Sequence, residues 1–296
     1  MKTTEESLQI RNHLLECMEN ALIEEDEEKR AALLTVTVVG GGPTGVELAG
    51  ALSEMKRYIL PKDYPEIDFS LMKIYLIEAS DRILSAMSEM SEKSSEASTK
   101  FLENLGVKVK TNTLVEDYDG SALTIKGQDS IQSNTMIWAA GVIGNAVDGL
   151  SDVYQNGRVI VNDNCEVIGY EWIYAIGDVT LMITEDFPKG HPQVAQVAMQ
   201  QAEFLTKKLL RKQEFKGSFE YKDLGSMATI GRSKAVADIA KFHFNGFFVW
   251  LFWLFVHLMN ILGVKNKLFI FIDWMWYYIS FNQSLRLLIK PKKSPN

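Results

Sequence analysis

Three rhythms of hydrophobic and polar positions divide this chain of 296 residues. The first is helical. Thr3 and Glu6 stand at capping-box spacing, and Leu8, Leu15, Met18 and Leu22 then recur every third, fourth or seventh position. This predicts a helix that ends in the acidic run Glu24–Glu28. The second rhythm begins at Leu33–Val39, a short continuous β-branched run of the kind that lies buried in a parallel sheet. Glycines follow, then a helical pattern through Leu48, Leu52, Met55 and Ile59. Ile74–Glu78 reads as a second buried strand, Ser91–Leu105 as a helix closed by Gly106, and Val107–Lys110 as a third strand. Short strands follow at Leu114–Asp117, Leu123–Lys126 and Met136–Ala140. Strand, helix, strand, helix, strand is the order of a right-handed doubly wound α/β unit. Residues 145–235 are mixed, with strands expected at Arg158–Val161 and Trp172–Ile176 and a helix at Gln193–Leu210.

The third rhythm is continuous apolarity. Phe242–Val264 contains no charged residue over 23 positions, and Leu268–Phe281 contains only Asp273. The first run could span a bilayer by length alone, but His243, Asn245, Gly246, His257 and Asn260 interrupt it. Trp and Tyr density, Lys265 and Lys267 between the runs, and Lys290, Lys292 and Lys293 after them suit an amphipathic hairpin lying at an anionic bilayer surface. A transmembrane helix and a buried core or dimer face are the alternatives.

Composition sharpens this contrast. Residues 242–281 hold 15 of the chain's 31 aromatics, and residues 241–296 carry a local charge of +6. The net charge of −7 therefore leaves −13 on residues 1–240, a surface unsuited to nucleic acid. Only two cysteines occur, Cys17 and Cys165, far apart, which argues against a disulfide scaffold, a zinc site and a dithiol redox centre. No metal site is expected. The start of the chain has no positively charged and apolar signal segment.

Gly40, Gly42 and Gly45 form a G-x-G-x-x-G between a predicted strand and a predicted helix. In such a turn the first glycine permits the bend, the second admits a pyrophosphate, and the third lets helix meet strand. Pro43 and Thr44 open the helix, whose free N–H groups and positive dipole end favour phosphate. Glu78 at the end of the second strand is the acid expected on the ribose hydroxyls, favouring NADH over NADPH. It lies further from the glycines than the usual ~20 residues, and the segment Pro61–Asp68 is expected to be a loop that accounts for the excess. Arg82 nearby is the residue able to reverse that preference.

Ile173–Asp178 (IYAIGD) is a second motif, a strand running into Gly177-Asp178. With the glycine turn and the strand end Ala139-Ala140-Gly141, it resembles the two-dinucleotide-binding flavoprotein reductases. That resemblance assigns Asp178 to the ribityl chain of FAD. GGGPTGVELAG (residues 40–50), QVAQVAMQQ (193–201), YKDLGSMATIGR (221–232) and the aromatic tail with His257 narrow it further. Across almost the whole chain the sequence resembles the type II NADH:quinone oxidoreductases. Such enzymes carry two glycine turns. The single one here matches their second, NADH-binding copy, so the resemblance implies that about a third of the protein precedes Met1, the FAD anchor included. Weak or absent FAD binding by residues 1–296 is the expectation.

The implied organisation is an N-terminal helix of the FAD domain (1–33), an NADH-binding Rossmann-like domain (34–143), the remainder of an incomplete FAD domain (144–236) and membrane-anchoring amphipathic helices (237–296). Glu47, in the first turn of the helix expected after Gly45, reads blandly as an acid favourable to the helix dipole. The resemblance places it at the nicotinamide and flavin edge, in quinone or proton handling. Gln196 and Gln200 are four apart and share a helix face; the resemblance sets them beside the flavin ring and the quinone opening. A carboxamide can donate to a quinone carbonyl without titrating. Gly40, Gly42, Pro43, Thr44, Gly45, Glu78, Ala140, Gly141, Gly177, Asp178 and Gln201 are the cofactor-binding candidates. His191 starts the helix of Gln196, yet neither it nor His257 is assigned a catalytic role. The implied activity is NADH oxidation through FAD to a membrane quinone, without ion pumping, at the cytoplasmic face of the inner membrane, with a homodimer through the tail as a further expectation. A reductase of a protein acceptor such as a ferredoxin, and an inactive membrane-tethered NADH-binding fragment, are the competing readings.

Overall fold

The computed structural model describes residues 3–85, 87, 90–145, 147–211, 217–280 and 286; Lys290, Lys292 and Lys293 lie outside them. Thr3 caps helix α1 (Thr4–Ile23) with the expected reciprocal bonds: its hydroxyl accepts the Glu6 N–H at 3.1 Å, and the Glu6 carboxylate accepts the Thr3 N–H at 3.3 Å. The helix buries Leu14, Leu15, Met18 and Ala21 on one face. The acidic run ends α1 as predicted, but Asp26 within it also caps a second helix, α2 (Glu27–Leu33), by accepting the Glu28 and Lys29 N–H groups.

Strand β1 (Thr35–Val39) is buried along its whole length. A long helical segment follows: α3 (Pro43–Glu54), a π-helical turn (Met55–Ile59) and α4 (Leu60–Asp63). The loop expected from Pro61 begins later than the sequence suggests, because the proline sits in the first turn of α4, where its missing N–H is tolerated. Strands β2 (Lys73–Ile77) and β3 (Val107–Lys110) flank helix α5 (Glu92–Asn104), capped by Ser91 and closed by a left-handed Gly106. Strands β4 (Val115–Tyr118), β5 (Ala122–Ile125) and β6 (Ile131–Gln132) form a small antiparallel sheet before β7 (Thr135–Trp138) returns. The main sheet runs β3-β2-β1-β7, all parallel, as the doubly wound reading requires.

Two units divide the chain: Met1–Ala140 with Gly225–Asn296, and Gly141–Leu224. The division groups residues 1–33 and 225–236 with the parallel sheet, where the sequence reading assigned them to the flavin domain. In the second unit β8 (Tyr154–Gln155), β9 (Arg158–Val161) and β10 (Thr180–Met182) form a sheet beside helix α6 (Ala195–Arg211), over a core of Val159, Val161, Cys165, Met182 and Phe219. The strand expected at Trp172–Ile176 is not one. Trp172 adopts a left-handed φ of +67°, which breaks the extended run, and only the Glu166–Tyr174 bridge remains.

The C-terminal part of the first unit opens with an antiparallel sheet, β11 (Ser226–Thr229), β12 (Ala235–Ile239) and β13 (Phe242–Gly246). The first five residues of the uncharged run therefore form an edge strand rather than helix. Gly246, at φ +103°, turns the chain into α7 (Phe247–Asn260), and α8 (Val264–Ser280) completes the hairpin. Among the described residues no helix is long and apolar enough to cross a membrane. Asp238 in β12 locks this sheet to α5. It is buried and accepts the Ser91 N–H at 2.5 Å, the Ser94 hydroxyl at 2.6 Å and His243 Nδ1 at 2.9 Å.

Candidate functional site

The glycine turn divides its labour among its three glycines. Gly40 has φ +110°, and a Cβ there would stand 2.6 Å from the Ala139 carbonyl carbon and the Ala140 nitrogen. A Cβ on Gly45 would overlap the carbonyl oxygen of Gly40. Both are therefore required by the protein's own packing. Gly42 is different: a Cβ on it meets nothing within 4 Å, so its bare side is open to a ligand. Pro43 occupies the first turn of α3, with no side-chain cap and no acid beside it. The N–H groups and the positive dipole end of α3 are left to an incoming anion. Thr44 is exposed at this mouth. Geometry at this turn fits a dinucleotide pyrophosphate.

Glu78 follows β2 and faces the same turn. One carboxylate oxygen accepts the Gly41 N–H at 2.6 Å; the other accepts both the Ser80 N–H at 2.8 Å and the Ser80 hydroxyl at 2.7 Å. The carboxylate is thus pinned beside the glycine turn, half-buried, with lone pairs still available to ribose hydroxyls. Ser80, invisible to motif reasoning, is the residue that orients it. Arg82 is tied elsewhere, donating to the Met90 carbonyl at 3.0 Å.

Glu47 lies in the second turn of α3, because the helix begins at Pro43, ahead of Gly45, and its carboxylate meets β11. Its Oε1 accepts the Thr229 hydroxyl at 3.1 Å and the Thr229 N–H at 3.3 Å. Three turns in all, α3 also meets the β11–β12 corner at Gly50, where a Cβ would stand 2.7 Å from the Gly231 nitrogen.

In the second unit, Gly141 is exposed at a left-handed φ of +89°, and Gly177 and Asp178 begin a short 3-10 turn. Gly177 donates its N–H to Gln201 Oε1 at 2.7 Å, and the Asp178 carboxylate side is exposed. Gln201 is fully buried, and its Nε2 has no partner among the described residues. An unpaired buried donor beside an exposed aspartate fits the polar edge of a cofactor. Gln196 and Gln200 do share one face of α6, and both grip the segment that follows. Gln200 accepts the Lys222 N–H at 3.0 Å and donates to the Lys222 carbonyl at 2.8 Å, while Gln196 accepts the Leu224 N–H at 3.2 Å. His191 is buried among Phe187, Phe219 and Tyr221, and burial lowers its pKa. Cys17 and Cys165 are buried free thiols, and burial pushes Cys165 up to about 11, far from thiolate chemistry. Among the described residues no group of His, Cys, Asp and Glu is placed to hold a metal ion.

The chain is similar to known proteins over nearly all its length. The family model described as "Pyridine nucleotide-disulphide oxidoreductase" matches residues 6–202, and the "NDH2 C-terminal domain" matches residues 224–280. A "Type II NADH:quinone oxidoreductase Ndh" of Mycobacterium tuberculosis is 33% identical, covering 95% of this chain and 62% of that relative. An "External NADH-ubiquinone oxidoreductase 2, mitochondrial" of Saccharomyces cerevisiae is 29% identical, over 94% of this chain and 57% of that relative. The chain thus spans about 60% of the length of the curated relatives it matches. Among solved structures, "NDH2 from plasmodium falciparum in complex with NADH" superposes with a TM-score of 0.84 at 23% identity, over 98% of this chain and 74% of that one. The likeness supports the α/β fold.

Proposed function

We propose, from the premise that this chain belongs to the pyridine nucleotide-disulphide oxidoreductase family in its type II NADH:quinone oxidoreductase branch, that it binds NADH and serves the transfer of electrons to a quinone. The observation that carries the reading is the glycine turn, in which Gly40 and Gly45 are used by packing and Gly42 faces an uncapped helix start. Bound FAD would accept the hydride of NADH and pass two electrons on, so the protein's part is positioning and electrostatics. The N-terminus of α3 holds the pyrophosphate. Glu78 accepts the ribose hydroxyls and repels a 2′-phosphate, favouring NADH. Asp178 and Gln201 hold the flavin's polar side, while Gln196 and Gln200 hold the segment 221–224 against α6. Glu47, tied to Thr229, keeps an acid one turn from the nucleotide turn and is the residue proposed to handle the proton that accompanies quinone reduction.

Quinone is favoured over a protein acceptor because the aromatic hairpin gives the enzyme access to a lipid-dissolved substrate. Phe248 on α7, Leu262 in the turn after it and Val264 at the start of α8 are each more than 80% exposed, and Lys265 and Lys267 follow in the first turn of α8. Apolar side chains would enter the acyl boundary while the lysines meet anionic headgroups. Monotopic attachment at the cytoplasmic face, where NADH is available, and a homodimer are part of the same proposal.

Titration calorimetry of the purified chain with NADH tests the first step: saturable binding is expected, lost in Gly42→Val. Absence of binding to the wild-type chain would overturn the reading. Where FAD is retained, NADH oxidation with a short-chain quinone but not with ferredoxin is expected. Sedimentation with phosphatidylglycerol vesicles, abolished by Phe248→Asp, tests the membrane step.

A further inference from the structure

Three helical segments of the first unit enclose a cavity of about 660 Å³. Met55 and Tyr58 form one wall, Trp250 and Leu254 of α7 a second, and Trp274 and Tyr278 of α8 a third. The first wall is the π-helical turn Met55–Ile59, where Leu60 bonds five residues back to the Met55 carbonyl. Pro61 has no N–H to offer the preceding turn, and the helix widens immediately before it. Widened turns of this kind recur at functional sites, and small-molecule cavities of this size, about 300–1,000 Å³, are mostly apolar with a few polar groups.

Two charged residues reach this space, and both are partnered. Glu54 accepts the Arg232 N–H at 2.5 Å, and burial raises its pKa. The Arg232 guanidinium donates to the Tyr277 carbonyl and lies over the Tyr278 ring at 5.4 Å. Neither charge calls for a counter-ion from a ligand. What remains are aromatic and aliphatic walls suited to a neutral hydrocarbon chain.

We propose that this cavity takes the acyl chain of a bilayer lipid, a binding site separate from the nucleotide turn. The source is indicated by what surrounds it. Phe255, Met275 and Ile279 line the cavity and are also exposed, so its mouth is continuous with the outward apolar face of the same hairpin. Lys265 and Lys267 in the first turn of α8 place positive charge on the same hairpin, complementary to anionic headgroups. A chain seated there fills space between the hairpin and α3 that would otherwise lack packing partners.

The siting of the chain at a bilayer rests on the membrane attachment proposed above, and the test separates the two. A fatty alcohol bearing a conjugated polyene in its chain, added without vesicles, reports on the cavity by its fluorescence. Saturation near one probe per protein is expected, with at least tenfold weaker binding in Leu254→Trp and in Ala51→Phe, and displacement by monomeric short-chain phosphatidylglycerol. Phe248→Ala, on the exposed face, is expected to leave probe binding unchanged. Retained NADH binding by the filled variants shows that they fold. The proposal is overturned if the wild-type chain shows no saturable binding, if filling the cavity changes nothing, if only an isoprenoid quinone displaces the probe, or if a dimer contact excludes it. Loss of vesicle sedimentation with probe binding intact would sink the membrane attachment and leave the cavity standing.

Discussion

Removing the Ser80 hydroxyl isolates the orientation of Glu78 from its charge. Ser80→Ala deletes one charge-assisted bond of 2.7 Å and leaves two others on the carboxylate, from the Ser80 N–H at 2.8 Å and the Gly41 N–H at 2.6 Å. Bonds to charged groups contribute about 1.5–3 kcal/mol when buried. The half-exposed carboxylate keeps two of its three anchors, so a loss of about 1 kcal/mol is expected, or roughly fivefold in NADH affinity. NADPH should be affected less, because its 2′-phosphate does not benefit from a well-aimed carboxylate, and selectivity between the two should narrow. Calorimetric titration of wild type, Ser80→Ala, Ser80→Thr and Glu78→Gln with both nucleotides measures this. Threonine restores the hydroxyl and should recover NADH binding; Glu78→Gln should lose more than Ser80→Ala. The reasoning fails if Ser80→Ala binds NADH as wild type does, or if both nucleotides weaken equally.

Gly45→Ala forces a methyl against the Gly40 carbonyl and should cost about 1–3 kcal/mol of stability, read as a lower denaturation midpoint, together with NADH binding. Gln200→Ala frees both backbone groups of Lys222 and should destabilise by about 1 kcal/mol, with faster amide exchange at Lys222 in deuterium-exchange measurements. Burial opposes the charge on Asp238, but the bonds from Ser91, Ser94 and His243 outweigh it and hold its pKa below the ordinary carboxylate value. Its stabilisation is therefore complete above that ordinary value and is lost as pH falls through the lower folded one. Asp238→Asn should flatten this acid limb of the stability–pH curve; an unchanged limb counts against the network.

Local signals were legible where one stretch of chain contains both partners. The capping box at Thr3 and Glu6, the buried run of β1 and the strand–turn–helix form of the glycine turn each complete their geometry within a few residues, and the structure contains all three. Signals failed where a neighbour decides. An uncharged aromatic run fits helix and strand alike, and only pairing with β12 makes Phe242–Gly246 a strand. The left-handed Trp172 has no turn residue to announce it. At the site, Gln196 and Gln200 could be placed on one face, but their partners Leu224 and Lys222 lie more than 20 residues away. Ser80 acts only through the side chain of Glu78, and no motif records such a dependence.

The composition contrast between acidic body and aromatic tail suggests an appended anchor, whereas the contacts within the first unit argue for a shared framework. From Pro43 to Asp63 the helical segment is about 30 Å long at 1.5 Å per residue. Its first turn is the end proposed to take the nucleotide phosphates, and Glu47 in the next turn bonds Thr229 of β11. Further along, Gly50 packs on Gly231 and Glu54 holds the Arg232 N–H. Its widened turn Met55–Ile59 walls the cavity beside the hairpin. One continuous helical segment therefore joins the end proposed for the nucleotide to the cavity proposed for lipid. Displacing either end requires moving the β11–β12 corner, which Asp238 fixes in turn to α5. Because coupling free energies are reciprocal, whatever factor a cavity ligand imposes on NADH affinity is the factor that NADH imposes on the affinity of that ligand.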